Sequence, residues 1–330
     1  LLLTLLFTSN IYAVTFSTRT IKAAGGDYTS LSAWEAGEDR DLTISSEVAV
    51  AECYNDWPTG LSDYVTISGW VTTANYYVKI YTPLSERHDG THASGFWITS
   101  SNAGGTIIVQ EDYTQIEGLE IVNTASHALQ NALGGDYGRY SYLILNGDAT
   151  AASGNAGYYD PRDTANPAYL FNSIIYDSAY GVYLYYSTVY VYNVTIVDCT
   201  DAGIRQRTSG ASVWKNVLVS TCNVDFSFIA EVSCDYCASS DGTADDNGGI
   251  GNRINQTFSF VNYSGDDFHL AENDTGAKDY GTDLSADANL SFSDDIDGDS
   301  RPYGSAWDIG ADETILPKAR KKNNSIIWIE

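Results

Sequence analysis

The chain has 330 residues, and its 43 Asp and Glu against 17 Lys and Arg give a formal net charge of −26. An anionic surface of that size repels phosphate backbones and anionic headgroups, which excludes nucleic acid and membrane surfaces as partners. It suits a protein in salty surroundings, or one that holds cations. No apolar run is long enough to span a bilayer, so no transmembrane segment is expected.

Leu1–Phe7 is apolar and is followed by Thr-Ser-Asn-Ile-Tyr-Ala13, the pattern of a truncated secretory signal peptide, which places the protein outside the cell or on its surface. The body is expected over 14–316. It begins with a strand from Thr15 that runs toward a turn at Gly25-Gly26-Asp27. Leu31–Arg40 then reads as a helix, with Ser30 or Ser32 as its cap, inside an N-terminal cap of about 28–47. Such a helix would cover the open end of the first coil of a solenoid. Strand-like pieces follow at Val48–Tyr54, Tyr64–Ile67, Tyr76–Tyr81, Gly95–Ile98 and Gly105–Val109, separated by Gly, Asn, Asp and Ser.

The strongest signal is a repeat. Asn172, Asn193 and Asn216 open Asn-Ser-Ile-Ile-Tyr-Asp, Asn-Val-Thr-Ile-Val-Asp-Cys and Asn-Val-Leu-Val-Ser-Thr-Cys at intervals of 21 and 23 residues, and Gly118 takes the same place one segment earlier. Periods in the twenties built from short β pieces indicate stacked coils. Aligning the segments puts Ile121, Ile175, Ile196 and Val219 in one column and Ile116, Leu170, Val191 and Trp214 in another. Both columns face the interior if the anchor bends the chain, since strand side chains alternate and Asn or Gly accepts the left-handed backbone of a corner. Cys199 and Cys222 share a column, and neighbouring coils lie close enough for a disulfide between them. Two stacked free thiols are the alternative. Cys234 and Cys237 form a Cys-x-x-Cys with no second pair at zinc spacing, and Cys53 is left over. Gly147–Pro167 reads as an insertion that leaves the coil, either walling a groove or lying plainly on the surface.

Near the C-terminus, Phe258-Ser-Phe260, Asp266-Asp-Phe-His-Leu270, Ala277-Lys-Asp-Tyr-Gly281, Asp297-Gly-Asp-Ser-Arg301-Pro302 and Asp308-Ile-Gly-Ala-Asp-Glu313 follow one another in order. With the coils before it, this region resembles secreted bacterial right-handed parallel β-helix proteins of the pectate-lyase-like superfold, in the branch labelled choice-of-anchor. The resemblance implies an all-β, single-stranded right-handed parallel β-helix with an N-terminal capping helix. It implies little about activity, since fold does not carry function. A closing region is expected over about 258–313, with Asp297, Arg301 and Asp308 closing the last coil, and a basic and apolar tail over 317–330.

Candidate functional residues stand in the outward columns. Tyr183, Tyr185, Tyr190 and Tyr192 offer an aromatic face suited to sugar rings, the alternative being that Tyr is simply a good strand residue. Arg205 and Arg207 fall one coil below Tyr183 and Tyr185 and could neutralise an acidic glycan; a surface pair of Arg205 with Asp225 is the plainer reading. Asp177 and Asp198 share a column and could hold Ca²⁺, which the lyases of this fold use, or be solvated turn residues. Arg205, Asp198 and Asp201 are the catalytic candidates for a polysaccharide lyase or glycoside hydrolase. The alternating Asp295, Asp297 and Asp299 do not make an EF-hand, because Gly298 and Ala306 occupy the wrong positions. Neither polygalacturonase-like nor pectate-lyase signature sets occur. Two readings result: a secreted β-helix that binds, and in one version cleaves, an extracellular polysaccharide, or a non-catalytic surface, adhesive or fibre-forming protein that associates with itself.

Overall fold

The structure is a computed structural model that describes residues 14–147, 154–208, 210–228 and 232–315. The expected leader and the 317–330 tail lie outside the described residues. Parallel strands stack in three sheets, the complete coils contributing one strand to each, so the chain winds as a three-sided parallel β-helix.

The first sheet stacks Thr15–Ile21, Glu47–Cys53, Val78–Tyr81, Gln115–Glu117, Arg139–Ser141, 168–171, 189–192, Val213–Lys215 and Cys234–Asp235. The second runs from Leu61–Ser62 through Trp97–Ser100, Glu120–Asn123, Ile144–Asn146, 173–176 and 194–197 to Leu218–Ser220 and Ala238–Ser239. The third stacks Val65–Ile67, Ile107–Val109, Leu129–Asn131, Ala156–Asp160, 180–184, 202–206 and Phe226–Ser227.

The inward columns are those the repeat gave, with one further coil. Ile116, Tyr140, Leu170, Val191 and Trp214 stack in register in the first sheet, and Ile121, Leu145, Ile175, Ile196 and Val219 in the second, all buried. Alternation along each strand puts these side chains inside, and stacking them in register removes apolar surface from water at every coil. The three sides pack tightly at the third sheet: a Cβ at Gly157, Gly181 or Gly203 would come within 2.2, 2.3 and 2.2 Å of Ile175, Ile196 and Val219 respectively. The anchors behave as their residue type demands. Asn172, Asn193 and Asn216 have φ of 45°, 52° and 53°; the Asn216 amide donates to Asn193 Oδ1 at 3.0 Å, whereas the Asn172 amide donates to the Asp294 carbonyl at 3.0 Å.

Three expectations are corrected. The Gly147–Pro167 stretch is not wholly an excursion, because Ala156–Asp160 is a strand of the third sheet with Tyr158 pointing inward. Its coil escaped the alignment because Tyr142, at φ 53°, stands in the anchor position. The Cys199–Cys222 bridge is not formed: both are free thiols, and Cys234 and Cys237 are joined instead. Lastly, the C-terminal region does not simply end the last coil. It folds back along the helix, where Phe268, Ile296 and Ala311 cover Ile144, Ile174, Tyr176 and Val197 on the outer side of the second sheet.

The N-terminal helix Leu31–Glu38 forms as expected, with the Ser30 side chain accepting the Ala33 N–H. Leu31 and Trp34 pack into the first coils, Trp34 lying 5.5 Å from Trp70. A second short helix, Leu42–Ser45, was not anticipated.

Candidate functional site

The outer face of the first sheet carries two columns of side chains. One runs Lys79, Gln115, Arg139, Tyr169, Tyr190 and the other Tyr81, Glu117, Ser141, Phe171, Tyr192. At the corner before the sheet, Tyr113 and Tyr137 adopt left-handed backbones (φ 58° and 60°) that turn their rings onto each other, with centroids 4.9 Å apart. Two adjoining depressions result. The larger, about 240 Å³, is walled by Gln115, Glu117, Arg139, Ser141, Tyr142 and Phe171. The other, about 210 Å³, is walled by Ala74, Tyr77, Tyr113, Tyr137, Arg139 and Tyr169. Arg139 stands between them and lines both.

Charge within this groove is unevenly satisfied. Glu117 accepts from Lys79 at 2.9 Å and from Arg87 at 2.6 Å. Burial alone would raise its pKa, but the two cations outweigh that and hold it below the ordinary carboxylate value. Arg139 differs: its guanidinium lies 5.2 Å from the Tyr169 ring and 5.6 Å from the Phe171 ring, and it makes no ion pair among the described residues. Cation–π contact holds a guanidinium in place without using its N–H donors, which stay available to an incoming anion.

The sequence-predicted residues divide between two sides of the helix. Tyr190 continues the groove, its ring 5.3 Å from that of Tyr169. Tyr192 is fully buried beneath Leu284, Leu290 and Trp307, so the expectation that it meets ligand is corrected. Tyr183, Tyr185, Arg205 and Arg207 lie on the outer face of the third sheet, around a corner from the groove. Arg205 does sit directly under Tyr183, as the period implied. Arg207 stacks 4.7 Å from the Tyr185 ring and donates to the hydroxyls of Tyr183 and Tyr185, so its donors are partly engaged. Arg205 donates to Ser227 Oγ at 2.8 Å rather than to Asp225. Asp225 is buried and accepts backbone N–H groups from Cys222, Ser240 and Asp241.

Of the catalytic candidates, Asp201 and Arg205 both lie near Tyr180, whereas Asp198 is engaged by the C-terminal segment. Asp198 accepts from the Tyr263 hydroxyl, Asp201 lies against Tyr180, and Arg205 faces Ser227. Asp177 and Asp198 occupy left-handed corners (φ 53° and 56°) between the second and third sheets, which accounts for Asp there without a metal. The described residues that bring metal-ligating groups within 4.8 Å of one another are instead His269, Asp297 and Asp312.

Sequence reasoning missed Tyr77, Tyr113, Tyr137 and Arg139. The usable signal was a Tyr two residues before each of Gln115 and Arg139, which recurs at the interval of 24 that separates Tyr113 from Tyr137.

No catalogued protein family matches the chain, and no curated protein does. Among solved structures, the crystal structure of pectate lyase Pel9A superposes on 91% of this chain and 96% of its own, with a TM-score of 0.50 and 14% sequence identity. That likeness shows the fold: the chain is a right-handed parallel β-helix of the pectate-lyase-like kind.

Proposed function

We propose that the protein is a secreted β-helix that binds an acidic extracellular polysaccharide in the groove on the outer face of its first sheet. Tyr77, Tyr113, Tyr137 and Tyr169 offer apolar ring faces to the C–H sides of sugar rings. Arg139 supplies a planar pair of donors matched to a carboxylate or sulfate. The observation that carries the reading is Arg139 itself: in a chain of net charge −26, this cation stands in the groove with no ion pair among the described residues.

Binding is favoured over cleavage by the state of Glu117. It is the one carboxylate lining either depression, and Lys79 and Arg87 keep it ionised, so it has no proton to give and little basicity. Retardation of the protein in gels containing polygalacturonate or alginate tests the reading, with a neutral glucan as the control. Arg139→Ala should weaken retardation by the acidic glycans at least tenfold, a loss of about 1.4 kcal/mol. Arg207→Ala should leave it unchanged. Absence of retardation by any acidic glycan refutes the proposal. Loss with Arg207→Ala but not Arg139→Ala moves the site to the third sheet, and release of unsaturated product, read by ultraviolet absorbance, restores the lyase reading.

A further inference from the structure

The C-terminal segment contains a buried histidine set among three carboxylates, away from the groove. His269 is fully buried on the strand Asp267–Leu270. Its Nδ1 lies 2.5 Å from Asp267 Oδ1, which makes that nitrogen an N–H donor and turns Nε2 toward Asp297, so a metal at Nε2 would take the place of the proton there. Nε2 is 3.1 Å from Asp297 Oδ2, yet it makes no hydrogen bond of acceptable geometry, and Asp297 Oδ1 is likewise buried without a partner. Nε2 and Asp297 thus approach without aligning on each other, as two ligands of one ion would. Asp312, mostly buried, offers a carboxylate oxygen within 4.8 Å of both, while its Oδ2 accepts the Leu270 N–H at 2.8 Å.

The surroundings fit a cation. Asp295 stands beside the group but spends its oxygens on the backbone N–H groups of Asp297, Asp299 and Glu313, so it braces the loop rather than joining the three. The nearby Arg301 is committed to Glu313 at 3.1 Å. Gly90 packs against the ring, where a Cβ would lie 2.2 Å from Nε2 and 3.3 Å from Asp297 Oδ1, so no larger residue fits at that position.

We propose that His269, Asp297 and Asp312 form a binding site for a divalent transition-metal ion of the zinc type, oriented by Asp267. One imidazole and two carboxylates suit such an ion better than Ca²⁺, which prefers an all-oxygen shell. The site draws its ligands from two stretches of the C-terminal segment, 267–270 and 297–312, and lies against the loop that carries Gly90. Bound metal therefore ties that segment together and onto the coils.

The test uses the full chain, stripped with a chelator and reloaded with ZnCl₂ or CaCl₂, with metal content read by mass spectrometry and stability by thermal melting. One Zn²⁺ per chain and a raised Tm are expected, both lost in Asp297→Asn and His269→Gln and both kept in Asp177→Asn. Because His269→Gln could fail to fold, the less buried Asp297→Asn decides. Substoichiometric Zn²⁺ in the unsubstituted chain, full Zn²⁺ uptake by Asp297→Asn, or stabilisation by Ca²⁺ but not Zn²⁺ would each overturn the proposal.

Discussion

Replacing Asn216 with Ala probes the link between the repeat and the C-terminal segment. The Asn216 side-chain amide donates to Asn193 Oδ1 at 3.0 Å and to the Thr282 carbonyl at 2.9 Å, and its oxygen accepts the Thr282 N–H at 2.8 Å. The Asn216 carbonyl accepts the Gly310 N–H at 2.9 Å, so one residue joins two coils to two points of the segment. Alanine loses the side-chain bonds at roughly 1 kcal/mol each and leaves buried partners unsatisfied. It also holds a left-handed backbone (φ 53°) at a cost of about 1 kcal/mol. The expected loss is about 4 kcal/mol in urea unfolding, with faster proteolysis within 258–315. Asn216→Gly keeps the backbone and should recover about 1 kcal/mol of that loss. An Asn216→Ala protein within about 0.5 kcal/mol of the parent, the range of an ordinary surface substitution, would refute the reasoning.

The remaining predictions concern titration and thiols. Glu35 accepts from the Ser68 N–H at 2.8 Å and from Trp70 Nε1 at 2.9 Å, and burial pushes its pKa up to about 7. A carboxyl raised in the folded state favours folding while protonated. Its contribution is therefore full below about 4.5 and is lost as pH rises through about 7, a change of about 3 kcal/mol. The difference in unfolding free energy between parent and Glu35→Gln, measured from pH 4 to 8, should carry that slope; a flat difference would sink the assignment. Thiol titration in denaturant without reductant should count three groups (Cys53, Cys199 and Cys222), and in the native state the half-buried Cys222 should react first. A count of one would restore the Cys199–Cys222 bridge.

What was legible in the sequence was set by which physical rule repeats locally. The inward columns through Ile121, Ile175 and Ile196 were readable because alternation and a fixed coil length both act on neighbouring residues. The coil from Arg139 to Asp160 was not, since Tyr142 replaces the Asn of its neighbours and the inward Tyr158 resembles a surface aromatic. Alternation also tells inside from outside but not which of three sides a residue faces. Tyr183 and Tyr190 are seven residues apart, yet a corner at 185–188 places them on different sheets. The burial of Tyr192 was invisible for another reason: Asp287, which its hydroxyl approaches at 3.4 Å, lies 95 residues away.

The fold-back also decides where a ligand can lie. On the second sheet the outward column Ile144, Ile174, Thr195, Leu218 and its neighbour through Tyr176 and Val197 are apolar enough that a bare β-helix would expose a sticky face. A protein with that face open would associate with itself through it. Here Phe268, Leu270, Ile296, Ile309 and Ala311 cover it from within the same chain. Cover continues around the corner onto Phe171 and Tyr192 through Leu284, Leu290 and Trp307, and Lys215 is drawn to Asp287 at 2.6 Å. It stops where the outward column becomes polar, at Arg139, Gln115 and Lys79. The open part of the first sheet is thus the part whose side chains gain nothing from apolar cover, and the same stretch holds the Arg139 guanidinium and the stacked tyrosines. Removing the cover would enlarge the groove only by exposing apolar surface. A segment-deleted chain should therefore aggregate rather than bind glycan more tightly, and soluble, tighter-binding protein from such a deletion would show that the segment occludes the ligand's path instead of bounding it.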